Sequence, residues 1–404
     1  MNISEELEKS LSQAQMQALR LIGFECDLRG VNSFLVGGTV RDVLLTRHVH
    51  DIDIAMECHP SLVTDALSSK IDLEVISQSN FGTQKVEIGD LKIDLAMTRT
   101  EEYSNPAVLP KVSLSNVFDD LKRRDFTVNS MAMSLSQGTW GQIMDPNDGL
   151  LDIEKKKIRT LHCNSFLDDP TRIFRAIRYS KRLGFTIDTM TDKLITDSVR
   201  FVDGLSGLRI VNELACICRE NNLVPMLEQL NKYGVLENIK EDWVLTDQIF
   251  QVIEKLIKCT SFDINSFLVI LVSGFNQLER EDLCFRLNLD NDAKKSISDF
   301  SILESFDTSI SPSALYNTLK PCSVSTINVG KNFFNKRRGE RILFFSDKLT
   351  NFRLEINGND LLKLGVERGP MVGEFLRLLQ DYALDQAITD KKAQLELAEK
   401  LLSD

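Results

Sequence analysis

The 404-residue chain has little of several things, and each shortage excludes a class of protein. No run is long and apolar enough to read as a transmembrane helix. Met1 to Lys9 carries three glutamates and no arginine, so it resembles neither a secretory signal nor an organellar transit peptide, and a cytoplasmic location is the expectation. Neither Gly-x-x-x-x-Gly-Lys-Ser/Thr nor Gly-x-Gly-x-x-Gly occurs, which leaves P-loop and dinucleotide-binding folds unsupported. Cysteines are scattered, and Cys216-Ile217-Cys218 lacks the paired spacing of a structural zinc site, so reduced thiols are expected. Of the four histidines, His48, His50 and His59 lie close together but without metal-ligand spacing, and they are left outside the chemistry. With 43% hydrophobic residues, the chain can still build several cores, as a multi-domain protein requires.

What is present begins with Asp51-Ile52-Asp53-Ile54. In an extended strand alternate side chains share a face, so Asp51 and Asp53 point one way and the isoleucines point toward a core. Mg²⁺ takes oxygen ligands and borrows some from substrate phosphates, so a carboxylate pair on a strand suits an Mg²⁺-dependent transfer. Upstream, Phe34-Leu35-Val36 reads as a buried strand, Gly37-Gly38 as a tight turn and Thr39 to Leu45 as a helix. Glycines let backbone approach a phosphate, and Gly38 and Arg41 sit where a triphosphate grip would form. The alternative is an ordinary strand-to-helix turn with aspartates in a solvated loop.

Leu91 to Met97 alternates, which places Asp94 as a third carboxylate on a neighbouring strand or as a solvent-facing residue. Lys122-Arg123-Arg124 precedes Asp125-Phe126-Thr127-Val128-Asn129-Ser130-Met131-Ala132 and is either a phosphate contact or a surface charge cluster. From Asp168-Asp169-Pro170 to Gly184 the pattern predicts a helix, with acid and proline at its start and glycine at its stop. Ile173, Ala176, Ile177 and Leu183 fall on one side, whereas Arg172, Arg175, Arg178 and Arg182 line the other. Those arginines either face water or meet a ligand. Asp169 and Arg172, three apart, are surface neighbours, and such a pair can accept from an exocyclic amine and donate to a ring nitrogen or carbonyl of a base.

The order Gly-Gly-Thr-Val-Arg-Asp, Asp-Ile-Asp, Arg-Arg-Asp-Phe-Thr-Val-Asn-Ser-Met-Ala, Asp-Pro-Asn-Asp-Gly-Leu-Leu-Asp-Ile and Asp-Asp-Pro-Thr-Arg resembles the class II tRNA nucleotidyltransferase and poly(A) polymerase family. The later Gly207 to Leu214 is similar to the family's neck segment. The resemblance implies an α+β fold, with a polymerase-beta-like nucleotidyltransferase head and an all-α neck, body and tail. It implies transfer of CMP and AMP from CTP and ATP to the tRNA 3′ end, with Asp51 and Asp53 holding Mg²⁺ and Gly38, Arg41 and Arg124 contacting the nucleotide. Asp169 and Arg172 would select the base, and Arg175 and Arg178 would support the triphosphate.

Two departures leave the specificity open. The base-reading motif begins with Asp168 where the family usually has Glu. Between Arg99 and Arg123, where full CCA-adding members carry a flexible element, this chain has a proline-containing segment poor in basic residues. Addition of A only, or of CC only, therefore remains open, although the segment's length argues against the latter. Poly(A) polymerases of the family tend to carry Gly-Arg-Arg-Phe where this chain has Ser79 to Lys85, which favours the tRNA enzyme. An inactive RNA-binding protein would keep the basic surfaces but lose the carboxylates, and a small-molecule nucleotidyltransferase would have less use for a long helical half.

A net charge of −11 is unusual for a protein that meets tRNA, so the cations must be concentrated. They cluster at Arg172 to Arg182 and again at Lys331, Lys336, Arg337, Arg338 and Arg341, the second set being either a tRNA contact or a solvated helix face. Beyond Ile187 helical periodicity prevails, as in Thr246 to Lys258 and Glu374 to Ala387. The expected division is a catalytic head over 1–150, a neck over 151–221, a body over 222–325 and a tRNA-binding tail over 326–404. No His-Asp hydrolase pair is visible in the C-terminal half. The oligomeric state stays open.

Overall fold

A computed structural model describes residues 1–49, 51–258 and 262–403, so His50 lies outside the described residues. The chain divides into two compact units, Met1–Arg209 with Glu220–Glu241, and Ile210–Arg219 with Asp242–Asp404.

The first unit opens with α1 (Ser4–Ser10) and α2 (Gln13–Asp27), the latter started by a capping box in which Ser12 and Gln15 satisfy each other's backbone amides. There follow β1 (Ser33–Val36), α3 (Gly38–Leu44), β2 (Ile52–Met56), α4 (Ser61–Ser68), β3 (Leu73–Ser79), β4 (Thr83–Ile88) and β5 (Leu91–Met97). A hairpin of β6 (Arg99–Glu102) and β7 (Lys111–Leu114) leads to α5 (Val117–Lys122), β8 (Ala132–Ser134) and β9 (Ile143–Met144). The mixed sheet has the order β3-β4-β5-β2-β1-β8-β9, and only β2 and β5 run parallel within it.

Alternation along the strands gives the sheet two unlike faces. Leu35, Ile52, Ile54, Ile93 and Leu95 point to one side and form a core with Leu19 and Ile22 of α2 and Val63 and Leu67 of α4. On the other side Phe34, Val36 and Ala55 meet Val117 and Leu121 of α5 in a smaller cluster. Asp53 belongs to this second side, because it alternates with Ile52 and Ile54.

Beyond the sheet come α6 (Gly149–Glu154), α7 (Ser165–Asp168) and α8 (Thr171–Leu183). The start and stop signals of α8 hold: Pro170 occupies the cap position, and Gly184 adopts φ 71°, a left-handed conformation that costs glycine little. Ile173, Phe174, Ala176 and Ile177 are fully buried. The reading of its arginines as a water-facing stripe fails for two of them, since Arg172 and Arg178 are also buried. A helical wheel gives the direction of a side chain but not how much protein lies over it.

The second unit contains no strand among the described residues. Helices Asn291–Ser305, Pro312–Leu319, Val324–Phe333, Lys336–Phe344, Gly358–Lys363, Pro370–Asp385 and Lys391–Ser403 contribute to a core that includes Leu303, Leu315, Leu361, Leu379 and Ala398. Arg338 donates to the Glu304 and Phe306 carbonyls and Arg341 to that of Ile310. These two cations thus satisfy carbonyls at and beyond a helix C-terminus, a favourable use of positive charge, while Lys336 and Arg337 stay exposed. Among the described residues no helix is long and apolar enough to cross a membrane.

Candidate functional site

A cavity of about 560 Å³ opens on the Asp53 side of the sheet. It gathers Gly37, Gly38, Arg41, Asp51, Asp53, Arg124, Asp169, Arg172 and Arg175, which the sequence spreads over some 140 positions. Eight arginines and six carboxylates line it. An acidic chain therefore presents a cationic balance here, as a polyanionic ligand requires.

Gly37, between β1 and α3, has φ 67°, and a Cβ there would stand 2.9 Å from Nη1 of Arg124. The turn needs glycine for both its conformation and its close neighbour. The Thr39 hydroxyl donates to the Asp51 carbonyl at 3.1 Å and accepts from the Asp53 amide at 3.2 Å, fastening the first turn of α3 to the start of β2. Asp51 is exposed just before the strand and Asp53 is half-buried within it. Arg41 is buried and already held: it makes two 2.9 Å bonds to the Asp42 carboxylate and one of 2.5 Å to Oδ1 of Asn129.

Parallel pairing of β2 with β5 sets Asp94 directly beside Asp53. Asp94 also meets Lys85 at 3.4 Å and lines an adjoining cavity that shares Asp53 and Arg124 with the first. Burial, aided by the Asp94 and Asp51 charges, pushes the Asp53 carboxyl up to about 6, with Arg124 pulling the other way. Negative charge at this spot is thus costly without a compensating cation.

Arg124 is positioned by a carboxylate that sequence reasoning did not single out. Asp120, fully buried on α5, spends Oδ1 on Arg123 (2.9 and 2.6 Å) and Oδ2 on Arg124 (3.1 and 2.8 Å). Two guanidinium forks share one carboxylate, and the Arg99 amide adds a bond at 3.2 Å. Arg123 continues to Glu101 of the β6–β7 hairpin at 2.8 Å, and Glu101 also takes bonds from Arg99 and the Tyr103 hydroxyl. Burial pushes the Glu101 carboxyl up, and Arg123 together with its hydrogen bonds brings it below the usual range.

Asp125 carries no distinct signal in the sequence either, although it lies inside the Arg-Arg-Asp run. Burial raises its carboxyl, but the Arg175 charge and bonds from Asn129 and Arg175 outweigh that and set it at about 2. Arg175 reaches Asp125 Oδ2 at 2.8 and 2.6 Å and the Tyr179 hydroxyl at 3.0 Å. Arg178 does not line the cavity; it is buried with its guanidinium over the Tyr179 ring.

Asp169 and Arg172 both line the cavity but do not bond to each other in the structure. Asp169 Oδ1 accepts from the Thr171 amide and hydroxyl (2.9 and 2.5 Å) and from Arg209 (2.6 Å). Arg172 donates to the Ser165 hydroxyl at 2.8 Å and to the Arg123 carbonyl at 2.7 Å. Arg209 also reaches the Ala107 carbonyl at 2.9 Å, linking the hairpin loop to Asp169. The neck motif was visible in the sequence, but nothing in it indicated this contact. Asp168 turns elsewhere, 3.9 Å from His162.

The site fits a hard divalent cation. Asp51 and Asp53 offer oxygen donors two residues apart, and the raised Asp53 carboxyl marks a place where a cation is stabilising. Among the described residues no closed group of three His, Cys, Asp or Glu is present. Were Mg²⁺ held by these two carboxylates, its other ligands would be water and substrate oxygens.

Residues 33–159 match the poly A polymerase head domain. Over 98% of its length the chain is 30% identical to an A-adding tRNA nucleotidyltransferase of Geobacter sulfurreducens, of which it covers 48%. The chain spans about half the length of the A-adding relatives it matches. It is 28% identical to a CCA-adding enzyme of Lactobacillus johnsonii, with 92% of this chain and 94% of the relative covered. Its fold superimposes on the Thermotoga maritima CCA-adding enzyme complexed with tRNA, with a TM-score of 0.78, 26% identity and 100% and 99% of the two chains covered.

Proposed function

Because the chain belongs to the class II tRNA nucleotidyltransferase and poly(A) polymerase family, we propose that it transfers nucleotides from CTP and ATP to the 3′ end of tRNA without a nucleic-acid template. One observation carries the reading: a single cationic cavity brings the Asp51/Asp53 pair together with Arg124, Arg175 and the Asp169/Arg172 pair.

Asp51 and Asp53 would hold Mg²⁺, which would supply the positive charge needed to acidify an attacking hydroxyl and to stabilise departing pyrophosphate. Arg124, aimed by Asp120, and Arg175, aimed by Asp125, grip the phosphates. Gly38 lets backbone approach them, Arg41 adds to the cationic wall, and Arg178, outside the lining, supports the triphosphate through its charge. Asp94 biases Asp53 by its charge. Asp169 accepts from the exocyclic amine of C or A, and Arg172 donates to the adjacent ring nitrogen. G and U offer a carbonyl and an N–H at those positions, so the same pair rejects them. No covalent intermediate is required. The head, neck, body and tail division near 150, 221 and 325, the tRNA contact of the tail and the cytoplasmic location belong to the same proposal.

A second reading, addition of the terminal A alone, is favoured by the A-adding activity named for several relatives. Labelled CTP and ATP, separately and together, offered to tRNA transcripts ending before CCA, after C and after CC, separate the two. Full CCA on the first transcript establishes the complete activity, and A on the last transcript alone establishes the specialist. Absence of all incorporation overturns both.

A further inference from the structure

Three guanidinium groups surround one aromatic ring. The central carbons of Arg41, Arg175 and Arg178 lie 5.2, 5.3 and 5.4 Å from the Tyr179 ring centroid. Arg41 comes from α3, whereas Arg175, Arg178 and Tyr179 come from α8, so the ring joins cations of two elements. Like charges gathered this closely repel one another, and an aromatic π system, negative on its faces, offsets part of that repulsion. The ring is itself fixed, since buried Phe126 meets it edge-on at 6.0 Å and 84°. Its hydroxyl accepts from Arg175 Nη2 at 3.0 Å.

We infer that Tyr179 is a positioning residue for the triphosphate: its ring, itself part of the cavity lining, holds the guanidinium groups of Arg41 and Arg175, which line the cavity, in register with that of Arg178, which does not. The inference rests on the nucleotidyltransferase reading and extends it. Two of the arginines have named tethers besides the ring, Asp42 and Asn129 for Arg41 and Asp125 for Arg175. Loss of the ring therefore does not release them; it removes a contact that all three share. The effect falls on phosphate affinity and is blind to the base, because Asp169 is held by Thr171 and Arg209, and Arg172 by Ser165 and the Arg123 carbonyl.

The test compares Tyr179→Phe, which keeps the ring, with Tyr179→Leu, which removes it, in the full chain. Binding of inorganic triphosphate is measured by calorimetry, together with KM for CTP, ATP and tRNA. In Tyr179→Leu, triphosphate affinity weakens about tenfold and both nucleotide KM values rise by a similar factor, the scale expected from losing three cation–π contacts. KM for tRNA stays within about twofold, and discrimination against GTP and UTP is unchanged. Tyr179→Phe restores most of the affinity. If Tyr179→Leu does not fold, Tyr179→Met, with a flexible apolar chain, takes its place. Unchanged triphosphate affinity in the folded ring-less variant, or an equal loss for tRNA and triphosphate, overturns the inference. A wild-type protein that binds triphosphate in a Tyr179-dependent way but labels no tRNA overturns the functional reading and leaves the role of the ring standing.

Discussion

Replacing Asp120 with alanine tests whether the cavity's cations are placed by a buried clamp. The carboxylate is fully buried and makes four bonds of 2.6 to 3.1 Å to Arg123 and Arg124, whose side chains are 20% and 18% exposed. Removing one partner of a buried charge pair costs about 3–5 kcal/mol, because the other is left desolvated and unpaired. Here water reaches both arginines in part and Arg123 keeps Glu101, so the lower end, about 3 kcal/mol, is expected. For a domain of 150–250 residues that corresponds to a fall in Tm of about 6–12 °C. Arg124 loses its directing partner beside the Gly37 turn, so nucleotide KM rises about tenfold or more, on the scale of one charge-assisted hydrogen bond. Urea titration and steady-state kinetics with CTP or ATP varied measure the two effects. A stability loss below about 1 kcal/mol, or an unaltered nucleotide KM in a folded variant, would refute the clamp.

Asp51→Ala is expected to lower incorporation by about a thousandfold or more while tRNA binding, followed by filter retention, is preserved; retained turnover would remove Asp51 from the chemistry. Asp169→Ala should relax discrimination against GTP and UTP more than it weakens tRNA affinity, and unchanged discrimination would count against side-chain base reading. Arg209→Ala should give a milder form of the same defect, because it takes away one of three bonds to Asp169 Oδ1. Asp125 has a depressed carboxyl, about 2 against an ordinary 3.8, so its ionised form stabilises the fold above pH 3.8 by about 2 kcal/mol. That contribution is lost as pH falls from 3.8 through 2. Asp125→Asn should accordingly be less stable at pH 7 by about that amount, with the gap to wild type closing as pH falls below 3.8; a gap independent of pH between 7 and 2 would show that charge is not its source.

Legibility in the sequence followed the range over which each feature is determined. The strand carrying Asp53, the strand carrying Asp94 and the limits of α8 follow from side-chain periods and turn residues a few positions apart, and the structure has all three. Adjacency of Asp53 and Asp94 was open, because it depends on the parallel register of β2 and β5, which the intervening β3 and β4 must deliver. Asp120 was invisible for a related reason. A carboxylate three and four residues before two arginines reads as a surface helix pair, and only its burial beneath the hairpin turns that spacing into a clamp. The arginines show the limit most directly. Arg175 and Arg338 each sit in a basic run, yet one meets a buried carboxylate and the other meets backbone carbonyls past a helix end. A charge run gives the sign of the field that a segment can contribute; whether a phosphate can use that field depends on which protein groups have already claimed the cation.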